Sequence, residues 1–132
     1  MNMFLIGRSL AGIVALFLLF IGLRYTFTPD ALTRLTALTA NDAFGASNIR
    51  AMGAPMLALG IVTGIGAVKG SYAFLVPAPV YFLMLILTRI VSIASEGSDP
   101  NITRALILAV ILFVMAEVAV QITKRAVVAK SI

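Results

Sequence analysis

The chain has 132 residues, enough for one domain of ordinary size. Apolar residues make up 61% of it and charged residues 11%, with a mean hydropathy of +1.10. A soluble domain runs at about 45–50% apolar and about 25% charged, so this composition belongs in a bilayer rather than around a water-soluble core. Cysteine and histidine are both absent, which excludes disulfides, thiol chemistry, zinc fingers and every histidine-based acid–base mechanism. The formal charge is +5, from ten Lys or Arg against five Asp or Glu. These basic residues stand singly at the ends of apolar runs, where they meet lipid headgroups. No basic patch or stripe exists for a phosphate backbone, so nucleic acid is not an expected partner.

The first apolar stretch covers about residues 4–23, with Arg8 as its interruption. Its weakly charged start and the lack of a small-x-small site favour a retained helix over a cleaved secretory signal. Gly7, Ala11 and Ala15 put small side chains on one face. The connection that follows is long enough for structure of its own. Thr28-Pro29-Asp30 reads as an N-cap, a proline at the first helical position and an acid in the first turn. Leu32, Leu35 and Leu38 then recur every third residue, which predicts a short helix at the membrane interface.

The second stretch covers about residues 50–68. Gly53, Gly60 and Gly64 share one of its faces, and residues 60–64 form a GxxxG. In lipid such a stripe permits close helix–helix approach. It serves either a homo-oligomer or packing inside the bundle, and the second is favoured because three partner helices are already available. Lys69-Gly70-Ser71 is a tight turn that predicts antiparallel neighbours in the second and third helices. The third stretch covers about residues 71–91, and its helix either begins near Pro77 and Pro79 or bends there. Gly97 permits the next turn, Asp99-Pro100 caps the fourth helix, and the last stretch covers about residues 104–123. A spanning helix needs about 20 mostly apolar residues, and backbone in lipid must bond within its own segment. The expected fold is therefore all-α: an integral-membrane four-helix bundle, one domain over residues 1–132, with the interfacial helix in its first loop.

Basic residues divide equally between the two ends of such a bundle. Arg8, Lys69, Lys124, Arg125 and Lys130 lie at the end that holds the termini, and Arg24, Arg34, Arg50, Arg89 and Arg104 at the far end. The three lysines favour a cytoplasmic terminal end, in a bacterial inner membrane.

Ionised groups within the apolar zone cost about 2.5–3.5 kcal/mol at a helix centre and need compensation. Glu117 lies seven residues before Lys124, and Arg8 enters from the same side. The expectation is an intramembrane ion pair of Arg8 with Glu117, Gln121 being a second partner one turn away. It either locks the first helix to the fourth or supplies a protonatable carboxylate to a cavity, and the structural role is favoured. At the far end, antiparallel packing is expected to bring Arg50 to the level of Arg89, with Ser92, Glu96 and Asp99 nearby. That cluster either tethers the loops by bidentate pairs or holds an anionic lipid headgroup or metabolite, and the tether is favoured.

Asn48-Ile49-Arg50 with Gly53 and Gly60, Arg89 with Ser92 and Glu96-Gly97, and Glu117 together resemble the pattern of domain-of-unknown-function family 4345. The resemblance covers roughly residues 5–125 and implies a four-helix bacterial membrane protein without an established activity. The architecture is also similar, more distantly, to the DoxX-like four-helix membrane proteins, some of them linked to redox complexes, although fold does not carry function. The related quinone-linked thiol oxidoreductases need cysteines, which this chain lacks.

Two functions follow as expectations. The first is a non-catalytic structural, assembly or accessory subunit of a larger membrane complex. The second is a carrier or binding protein for a small anion or lipid, with Arg50 and Arg89 as the anion site and Glu117 as a proton-responsive group. That reading requires a cavity reaching one of these side chains. No nucleophile–base arrangement points to an enzyme. Neither a cofactor nor a metal is expected, and the six methionines read as core filler.

Overall fold

Four helices run α1 (Met3–Phe27), α2 (Ala43–Lys69), α3 (Pro77–Glu96) and α4 (Pro100–Lys130), with a single 3-10 turn over Tyr72–Phe74. The computed structural model describes residues 3–28, 43–97 and 99–130, and only the backbone at Glu96 and Lys130. No strand occurs among the described residues. All four helices, α3 together with the turn before it, are long and apolar enough to cross a membrane. The chain folds as the expected multi-pass helical bundle. The interfacial helix expected between Pro29 and Leu38 lies outside the described residues.

The helices outrun the apolar stretches, and α2 begins at Ala43 rather than near residue 50. Hydropathy marks where hydrocarbon begins, whereas a helix continues into the interface for as long as its backbone bonds do. Pro77 starts α3 at its first turn, where a missing N–H is harmless. Pro55 stands inside α2, so the Ala51 carbonyl loses its usual helical donor there. Asp99 caps α4: its Oδ1 accepts the Asn101 N–H at 2.7 Å, and its carbonyl accepts the Thr103 N–H and hydroxyl at 3.0 and 3.1 Å.

Helix α1 is central. Gly7, Ala11, Val14, Ala15, Leu18 and Gly22 are buried along it at helical spacing, and it packs most extensively against α2. The expected glycine face makes that seam. A Cβ at Gly60 would lie 2.7 Å from Leu19 Cγ, and one at Gly53 would lie 2.6 Å from the Gly22 carbonyl oxygen and 2.6 Å from Thr26 Oγ1. At Gly64 the approach is ordinary, 3.8 Å to Ala15 Cβ. The stripe is thus spent inside the molecule.

Helix α4 packs on α1 and carries α3 on its far side, so the spatial order is α2, α1, α4, α3. Val14, Leu18, Ala78, Phe82, Leu112 and Ala116 form the core where these last three helices meet. The tight turn does not make α2 and α3 close neighbours, because they touch little. Helix α2 has already given its small-residue face to α1, while the bulky Phe82 of α3 engages the core of α1 and α4. Gly70 makes the turn at φ 64°, with the Phe4 ring filling the space a side chain would need. Leu75 then plugs this end of the bundle, buried with Ala11, Ala67, Ala119 and Val120. Outside, large apolar side chains line the spans: Leu16 is 68% exposed and Val68 74%. Such a surface suits lipid, which has no driving force to expel it.

Candidate functional site

At the end that holds the termini, Arg8 is drawn to α2. Its Nε donates to the Ala67 carbonyl at 2.6 Å and its Nη2 to the Val68 carbonyl at 2.7 Å. These belong to the last turn of α2, whose carbonyls have no helical partner and carry the negative end of the helix dipole. The Phe4 ring centroid lies 5.5 Å from the guanidinium. The expected Arg8–Glu117 pair is therefore not made, and the register of α1 on α4 explains why. Gly7 faces Ile122 and Thr123, so Glu117 lies about 8 Å further along α4 at 1.5 Å per residue. Arg8, one residue on, is turned by about 100° from that contact. Gln121 does join Glu117, its Nε2 donating to Oε1 at 2.7 Å.

At the far end the five expected residues separate. Arg50 is exposed on α2, and Arg89 stands on α3, which leans on α4 instead. Ser92 is half-buried one turn beyond Arg89. The side chain of Glu96 lies outside the described residues, and Asp99 is engaged as the α4 cap. No loop tether between an arginine and a carboxylate is present among the described residues.

What does form there is a cleft of about 140 Å³, partly open to the surroundings, between α1, α3 and α4. Phe17, Leu18 and Phe82 supply apolar wall, Met56 reaches it from α2, and Tyr81 and Arg89 are its polar members. The Tyr81 and Phe82 rings meet edge to face, with centroids 5.6 Å apart. Tyr25, on the last turn of α1, lies within electrostatic reach of both Arg89 and Tyr81. Among the described residues no carboxylate lines the cleft, and no group of His, Cys, Asp or Glu is able to bind a metal. A guanidinium offers five N–H donors and no acceptor, and a phenol adds one more donor. The cleft is thus an apolar recess with a cationic, donor-rich head.

The sequence profile of a family described as Domain of unknown function (DUF4345) matches residues 6–121. The chain belongs to this family. No curated protein and no solved structure matches it. Within this DUF4345 chain, sequence reasoning points to Arg89 but not to Met56 or Tyr81, which line the cleft with it, nor to Tyr25. A tyrosine near a span boundary is a signal of interfacial position, yet no periodicity pairs Tyr25 on α1 with Arg89 on α3.

Proposed function

We propose that this protein binds an amphiphile in the plane of the membrane, with an anionic head on Arg89 and apolar atoms in the cleft. The single observation behind this reading is that the apolar cleft carries one guanidinium and, among the described residues, no counter-ion in its lining. Arg89 is exposed at the open side of the cleft, where an anionic acceptor can reach its guanidinium and make charge-assisted hydrogen bonds. A cavity of about 150 Å³ holds a benzene ring. This cleft, at about 140 Å³, therefore takes a ring or the first few methylenes of a tail, with the remainder running out through the open side. Glu117 does not line the cleft, so it drops out of the binding machinery. Arg89 and Tyr81 supply donors without a nucleophile and base, so the proposed role is binding rather than catalysis.

With the lysines facing the cytoplasm of a bacterial cell, the cleft sits in the outer half of the inner membrane. Native mass spectrometry from mild detergent tests the proposal. The full chain is expected to retain a lipid or amphiphile adduct, and Arg89→Gln to lose it. A bare wild-type chain, or an adduct that survives Arg89→Gln undiminished, overturns it. A structural or accessory subunit is the second reading, and the polar pair on α4 is the feature that favours it.

A further inference from the structure

We infer that a second copy of this chain docks along the outer flank of α4, joined through Glu117 and Gln121. The inner face of α4 is buried at Ala109, Leu112, Ala116, Ala119, Val120 and Thr123. Glu117 is turned by about 100° from Ala116 and Gln121 by about 140°, at about 100° per residue. Val110 and Val114, 41% and 51% exposed, lie on the same flank. Ile107, Val110, Val114, Glu117 and Gln121 then follow one another at spacings of three, four, three and four. That is the seam of a left-handed helix pair, with β-branched residues at its apolar positions and polar ones that fix register. Among the described residues no other element packs on this seam, since α1 and α3 take the inner face.

The polar pair itself argues for a self-complementary partner. Glu117 lies seven residues from Lys124, about 10 Å inside that boundary of the span. Its bond to Gln121 uses one carboxylate oxygen and one amide N–H. A second carboxylate oxygen, a second N–H and the amide oxygen remain. Hydrocarbon satisfies none of these, whereas another helix does. A two-fold axis along the membrane normal sets the flank against itself, so each contact occurs twice. Gln121 of one copy then stands four residues, about 6 Å, from the level of Glu117 in the other, within reach of two long side chains. The surplus donor of each copy meets the surplus acceptor of the other. The glycine stripe of α2 takes no part, being closed by α1.

Because the chain has no cysteine, introduced thiols report contacts cleanly. Val114→Cys, in the full chain in phospholipid vesicles under mild oxidation, is expected to give a disulfide-linked species of twice the chain mass. Leu16→Cys, on the outer face of α1, is expected to remain a monomer. Adding Glu117→Leu or Gln121→Leu to Val114→Cys should lower the cross-linked fraction at least fivefold. The exchange Glu117→Gln with Gln121→Glu should restore it, which separates lost complementarity from lost folding. The inference is overturned if Val114→Cys cross-links no faster than Leu16→Cys, or if the two leucine variants cross-link as well as their parent. It is also overturned if the exchange variant, folded by circular dichroism, stays monomeric.

Discussion

Helix α1 faces two different kinds of neighbour. On the α2 side, Gly53 and Gly60 let backbones come so close that an added Cβ would strike the Gly22 carbonyl or Leu19. On the other side, Phe17, Leu18 and Ile21 meet Phe82 and Leu112, and a cleft of about 140 Å³ is left between them. Small residues in lipid bring helices into contact over their length, whereas bulky ones interlock at one level and leave space where the helices diverge. One helix thus supports both a closed seam and an open recess.

That contrast is easiest to break at the seam. Gly53→Val would set a side chain against backbone at 2.6 Å, with no flexible neighbour to yield. The expected loss is about 3 kcal/mol or more, at the upper end for overpacked sites, read as a lower melting temperature in detergent. An unchanged melting temperature would mean that the seam is looser than its geometry. Arg8→Gln removes the guanidinium from both Ala67 and Val68, and hydrogen bonds to charged groups contribute about 1.5–3 kcal/mol. The drop should show in the same melt, with amphiphile retention unaltered.

The cleft is expected to respond in the opposite sense. Arg89→Gln should weaken amphiphile binding about 10–100-fold, from a lost charge-assisted contact, while the melting temperature of the ligand-free protein barely moves. Ala105→Leu, which fills cleft wall on α4, should weaken binding by at least about tenfold, since the recess is already only ring-sized. Binding titrations on both variants check this, and tighter binding by Ala105→Leu would place the ligand elsewhere. The smallest effect belongs to Gly64→Ala. Its Cβ would meet Ala15 at an ordinary 3.8 Å, so the helix gains up to about 1 kcal/mol from propensity. A large loss there would show that the stripe is uniformly tight.

The depth of each charged residue along its helix is legible in the sequence. Arg8 does enter at the terminal end, and Arg89 does stand at the far end of α3. The partner of each depends on rotation about the helix axis. Arg8 turned to the open carbonyls of α2 because Gly7 beside it was already committed to α4. Arg50 and Arg89 stayed apart because α3 chose α4 over the helix it follows in sequence. Glu117 and Gln121, four residues apart on one helix, met as local geometry requires.

The apolar runs alone determined that this chain is helical and suited to cross a membrane, because such runs leave the backbone no other way to bond in lipid. Its breakers and caps, Gly70, Pro77, Gly97 and Asp99, likewise marked the turns, since each acts within a few residues of its own position. The order α2, α1, α4, α3, and with it the cleft beside Arg89, was decided only in three dimensions. Lipid rewards no particular pairing of equally apolar helices, so the choice fell to the fit of glycine against leucine and of Phe82 against its core.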